Sequence, residues 1–147
     1  MIEVYLEMRI YVGIDFGTKR SGVALSDPTH TIASALDTFD TSQLIPALQS
    51  LKGQYTIAGF VVGAPRRWSG EPSTVEVAIQ EWIAQLEKDF SETPIFREDE
   101  RFTSKIAQKS LLEGGVKKSK RKDKKILDSM SATLILQSFL DRQKKCL

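Results

Sequence analysis

Three places in the sequence put carboxylates where a packed domain would not choose them. Asp15 lies in the apolar run Ile10-Tyr11-Val12-Gly13-Ile14-Asp15-Phe16-Gly17-Thr18. Read as a β-strand, that run alternates Ile10, Val12, Ile14 and Phe16 onto one face and Tyr11, Gly13 and Asp15 onto the other. Asp99 and Glu100 fall at the C-terminal end of a second strand. Asp128 falls in the opening turns of the last helix, where helical spacing lines it up with Ala132, Ile135 and Phe139 and directs it toward the body of the domain. Each acid has an ordinary reading alone: Asp15 as the start of a turn, Asp128 as a helix-dipole partner. Gathered together they would repel by roughly 4 kcal/mol per pair at about 4 Å in an effective dielectric near 20. A compensating cation is then required. Oxygen donors suit Mg²⁺ or Mn²⁺, which bridge to substrate phosphates. Two such ions can clamp the attacking and leaving oxygens of a phosphodiester, with no side-chain nucleophile.

Composition narrows the chemistry further. The single histidine, His30, and the single cysteine, Cys146, argue against a zinc site of the Cys/His kind and against an intramolecular disulfide. Serine–histidine catalysis could use only His30 and lacks a supporting arrangement. No apolar run approaches the ~20 residues that span a bilayer, and the N-terminus lacks a secretory pattern, so a cytoplasmic protein is expected. The 147 residues, 41% hydrophobic, suit one domain over 1–147 with 1–8 as a lead-in. Net charge is only +2, but Lys117, Lys118, Lys120, Arg121, Lys122, Lys124 and Lys125 crowd together. This stretch reads either as a mobile, solvated basic segment over 115–125 or as a phosphate-binding patch.

The elements that must position these acids follow from periodicity and punctuation. Strands are expected over 9–16, 21–26 and 31–36, joined by short connections as an antiparallel meander. Asp40 or Thr41 is expected to cap a helix carrying Leu44, Ile45, Leu48 and Leu51, stopped by Gly53. The run 55–63 reads as a strand buried on both faces. Ser73 and Glu76 resemble a capping box, ahead of a core stripe of Val75, Ile79, Trp82, Leu86 and Phe90. A short strand over 93–98 follows. Thr103 could cap a helix ending at Gly114-Gly115, and a last helix spans about 123–142. The layout predicts an α/β fold: a five-stranded mixed sheet, antiparallel at first and then parallel, with helices on both faces.

The segment Tyr11–Asp27 resembles the opening of the YqgF family, also called RuvX-like Holliday junction resolvases or pre-16S rRNA nucleases. Val61-Val62-Gly63-Ala64-Pro65, Asp99-Glu100-Arg101-Phe102-Thr103, Asp128-Ser129-Met130-Ser131-Ala132 and Leu136-Gln137-Ser138-Phe139-Leu140 occur in the family's order. The resemblance runs from Arg9 to about Asp141. It implies an RNase H-like fold and a Mg²⁺- or Mn²⁺-dependent nuclease whose acids map onto Asp15, Glu100 and Asp128. Neighbouring strand residues point to opposite sides, so one of Asp99 and Glu100 faces the metals, and Glu100 is the expected one. Ala64 stands where the family commonly has Leu, Ser131 where Ala is frequent, and Arg66-Arg67-Trp68 is more basic and aromatic than usual.

The resemblance implies RNA as substrate, in maturing the 5′ end of pre-16S rRNA during ribosome biogenesis. Branched DNA is the other substrate it suggests, and ribosomal particles are candidate partners. Candidate nucleic-acid contacts are Lys19, Arg20, Arg66, Arg67, Arg101, Lys117, Lys118, Lys120, Arg121 and Lys122; Trp68 could stack on an unpaired base or pack locally. A non-catalytic rRNA-binding assembly factor is a competing reading, as is an ATP-binding domain of the actin–sugar kinase type. The kinase type needs two such domains, and this length supplies one. A homodimer is left open by the sequence.

Overall fold

The computed structural model describes residues 8–65, 69–71, 73–100 and 124–145. Five strands form one sheet in the order β3-β2-β1-β4-β5: β1 Arg9–Asp15, β2 Arg20–Ser26, β3 Ala33–Asp40, β4 Thr56–Ala64 and β5 Ile95–Asp99. β1–β2 and β2–β3 pair antiparallel, whereas β1–β4 and β4–β5 pair parallel. Helices α1 Leu44–Lys52 and α2 Glu76–Asp89 cover one face, and α3 Lys124–Lys145 covers the other. The α/β mixed sheet expected from the sequence is the one observed.

The alternation of β1 decides the two cores. Ile10, Val12 and Ile14 pack with Leu44, Leu48, Leu51, Ile79, Ile83 and Leu86, and Phe16 lies against Trp82 with ring centroids 5.5 Å apart. Tyr11 turns to the other side, 5.2 Å from the Phe139 ring. Helix α3 forms there because Ala132, Ile135, Leu136, Phe139 and Leu140 recur at helical spacing and are all buried. Gly13 lets the helix approach: a Cβ on it would stand 2.7 Å from Leu136 Cβ and 3.0 Å from the Ala132 carbonyl oxygen. Gln137 sutures α3 to the start of β3, accepting from Ala33 N and donating to Thr31 O, both at 2.9 Å.

Several local expectations shifted. The third strand starts later and runs to Asp40, because its second half pairs with Arg20–Val23. Neither Asp40 nor Thr41 caps α1. Residues Thr41–Gln43 form a 3-10 turn, and the Thr41 hydroxyl donates instead to Gly17 O at 2.6 Å. Gly53 follows α1 in right-handed helical conformation, φ −73°. The Ser73–Glu76 capping box does not form: Glu76 N donates to Ser73 O, while the Glu76 carboxylate pairs with Arg97. Ile83 joins the α2 core stripe, and Trp82 is only partly buried. Thr103 and its helix lie outside the described residues.

Candidate active site

The parallel strands β1, β4 and β5 end on one side of the sheet, and Asp15 and Glu100 lie at those ends. Asp15 is the last residue of β1, partly buried, and pairs with Gly22 of β2. It shares its face with Tyr11 and Gly13, the side covered by α3. Past it comes a tight turn: a Cβ on Gly17 would run into the Arg20 carbonyl oxygen. Buried Ser21 pins that turn, its Oγ accepting from Gly17 N at 3.2 Å and lying 2.8 Å from Thr41 Oγ1. Lys19, exposed, and Arg20, partly buried, lie in and just after the same turn.

Glu100 follows β5 and continues its ladder, with Glu100 N donating to Ala64 O at 3.3 Å. Alternation along β5 sorts the two neighbouring acids. Phe96 packs on the α3 side, and Glu98 meets Arg142 of α3 at 2.8 Å. Glu100 shares that parity, whereas Arg97 turns to Glu76 of α2 and Asp99 is exposed. The Glu100 carboxylate folds over Gly63 of β4. An ideal Cβ on Gly63 would collide with Glu100 Oε2 and stand 3.0 Å from its Cδ and 2.7 Å from Ile135 Cδ1. Burial pushes the Glu100 carboxyl up to about 7; the Arg97 charge opposes this, and the Asp99 and Glu76 charges add to it.

Helix α3 runs antiparallel to β1. Its Phe139 lies by Tyr11, and its Ala132 and Leu136 by Gly13, two residues further along the strand. The backbone of Asp128, one turn before Ala132, is therefore carried toward the strand ends where Asp15 and Glu100 stand. Among the described side chains no group of three potential metal ligands is assembled. Arg66, Arg67, Trp68, Arg101, Lys117, Lys118, Lys120, Arg121 and Lys122 lie outside the described residues. Sequence reasoning missed Gly63 and Arg97. A Gly in a buried strand signals close approach of another group, but nothing local indicates that the group is Glu100.

An RNase H-like sheet with carboxylates at the ends of its parallel strands defines the class. Two solved structures share this fold. One is T. thermophilus RuvC in complex with a Holliday junction substrate, 14% identical, TM-score 0.54, covering 92% of this chain and 96% of that one. The other is the fowlpox virus resolvase complexed with Holliday junction DNA, 12% identical, TM-score 0.55, covering 91% and 98%. The particular family is given by sequence: residues 9–142 match the RuvX family model, described as Holliday junction resolvase, and the chain belongs to that family. A protein of Christiangramia forsetii whose name proposes a pre-16S rRNA nuclease is 46% identical over 129 residues, 88% of this chain and 96% of the relative. Similarly named relatives from Amoebophilus asiaticus and Porphyromonas gingivalis are 42% and 41% identical, covering 91% and 88% of this chain and 95% and 94% of their own.

Proposed function

We propose that this chain is a divalent-metal-dependent nuclease that hydrolyses phosphodiester bonds of RNA, acting in the cytoplasm on the 5′ end of precursor 16S rRNA, free or within ribosomal particles. The observation that carries the reading is the Glu100 carboxylate lying over Gly63, on the face and at the strand end that also hold Asp15. Asp15, Glu100 and Asp128 would hold Mg²⁺ or Mn²⁺. The donor set fits a hard cation, being carboxylate oxygen. Glu100 fits it in a second way: buried among other acids, it is held near neutrality, and a cation is what would favour its charged form. The chemistry that two such ions supply is Lewis acidity toward the attacking water and the departing oxygen.

The residues themselves do the rest. Asp15 and Glu100 present oxygens from rigid strand ends. Ser21 and Thr41 fix the turn that follows Asp15. Lys19 and Arg20, in and after that turn, are suited to backbone phosphates flanking the scissile bond, as are Arg66, Arg67, Arg101 and the Lys117–Lys122 stretch on sequence grounds.

Purified protein incubated with precursor 16S rRNA and with a four-way DNA junction, in Mn²⁺ or in chelator, tests the proposal. Cleavage of the RNA is expected only with metal, and Asp15→Asn should lower it by at least about a hundredfold with an unchanged melting temperature. Wild-type cleavage by Asp15→Asn would sink the assignment. Cleavage of the junction alone would favour the resolvase reading that the family's description carries. Tight RNA binding without cleavage would favour an assembly factor.

A further inference from the structure

Arg97 joins the end of β4 to the start of α2. From β5, where it pairs in register with Val62, its Nε donates to Val62 O at 3.3 Å and its Nη2 to Gly63 O at 3.0 Å. Its Nη1 and Nη2 also donate to Glu76 Oε2 and Oε1, each at 2.8 Å, in a bidentate pair that ties both strand ends to the first turn of α2. The fork is held on a pair of side chains 26% and 18% exposed, so solvent competes little for it.

The need for such a clamp follows from Gly63. The β1–β4 ladder ends at Ile14–Val62, so the Gly63 carbonyl lies past its last pair. Gly63 must lack a side chain, because Glu100 fills that volume. Glycine is also the residue with the most backbone freedom to lose. β5 holds one side of this strand end through the Gly63–Glu98 and Ala64–Asp99 pairs, whereas on the β1 side, past the last ladder pair, the Gly63 carbonyl is held by the Arg97 guanidinium.

We propose that Arg97 is a positioning residue of the nuclease site, fixing the end of β4 so that Glu100 and Asp15 keep a metal-ready arrangement. This inference rests on the nuclease reading above. It acts through hydrogen bonds to main-chain carbonyls and needs no contact with substrate. A second role of the same cation would have the opposite sign. As a positive charge near carboxylates, Arg97 would repel a metal ion, so electrostatics alone predicts tighter metal binding when it is removed. Positioning predicts weaker binding.

The test is Mn²⁺ binding by calorimetry, together with the Mn²⁺ dependence of cleavage, for wild type, Arg97→Met, Arg97→Lys and Ile79→Val. Ile79→Val loosens the core beneath α2 without touching Arg97 or the acids, and controls for general destabilisation. Arg97→Met is expected to weaken Mn²⁺ binding by about tenfold and to raise the half-saturating Mn²⁺ for cleavage in parallel, with the rate at saturating metal retained. Arg97→Lys keeps the charge but loses the fork, and is expected to weaken binding in the same direction; it carries the test if Arg97→Met does not fold. Unchanged or tighter binding in the folded Arg97 variants, or an equal loss in Ile79→Val, overturns the proposal. A wild-type protein that binds Mn²⁺ but cleaves nothing sinks the nuclease reading, while the binding series still decides the role of Arg97. A wild-type protein that binds no Mn²⁺ sinks both.

Discussion

The carboxylate of Glu100 fills the volume that a side chain on Gly63 would occupy. The two residues come from adjacent parallel strand ends, and the contact brings Glu100 onto the face under α3. Gly63 is thus a glycine because of a neighbour's carboxylate and not because of a positive φ.

Gly63→Ala should separate activity from folding. Its methyl would displace the Glu100 carboxylate and press on Ile135 Cδ1 at 2.7 Å. A stability loss of about 1–3 kcal/mol is expected from overpacking, with a fall in metal-dependent cleavage of at least about tenfold. Urea unfolding and a cleavage assay on one preparation measure both. Full activity in the variant would mean that the Glu100 position is immaterial.

Glu100 makes stability depend on pH. Its folded value of about 7 lies above the ordinary 4.5, because burial outweighs the Arg97 charge and the Asp99 and Glu76 charges add to it. The folded metal-free protein therefore prefers the protonated carboxyl. Its contribution to stability is complete below about 4.5 and is lost as pH rises through about 7. Glu100→Gln should be more stable than wild type at pH 8 by roughly 1–3 kcal/mol and close to it at pH 4.5. Mn²⁺ affinity of the wild type should climb up to about pH 7 and then level. Parallel pH–stability curves for the two proteins would contradict this account.

Arg142 meets Glu98 at 2.8 Å, with the Glu98 side chain 3% exposed and its second oxygen buried without a hydrogen-bond partner among the described residues. Arg142 is itself 56% exposed, so solvent moderates the pair. Arg142→Met should cost roughly 1–3 kcal/mol, since it strands a buried carboxylate. Adding Glu98→Leu should recover most of that loss. A double-mutant cycle in urea reads the coupling, and two additive single effects would show that the pair contributes nothing.

Much of the fold was legible because its signals are local. Period-two alternation in β1 sorted Ile10, Val12 and Ile14 from Tyr11 and Gly13, and helical spacing marked Ala132, Ile135 and Phe139. Which of Asp99 and Glu100 shares the face under α3 is not a local signal. It follows from the face of β5 that meets α3, where Phe96 and Glu98 lie. The capping assignments failed for the same reason. Glu76 has the spacing of a cap partner, but Arg97, distant in sequence, offers a bidentate charged fork. Thr41 finds Gly17 across the sheet edge rather than the start of its own helix.

The layer that α3 adds has a temporal meaning. Among the described residues, Ala132, Ile135, Leu136, Phe139 and Leu140 supply most of the buried side chains on their face of the sheet, and Ile135 closes over Gly63 beside Glu100. These residues are synthesised after every strand of the sheet. A nascent chain that has emerged as far as Glu100 carries Asp15 and Glu100 on the face that α3 has yet to cover. For a protein made on ribosomes and proposed to cut their RNA, the order of synthesis brings Asp128, the third proposed acid, and the α3 cover only after the whole sheet.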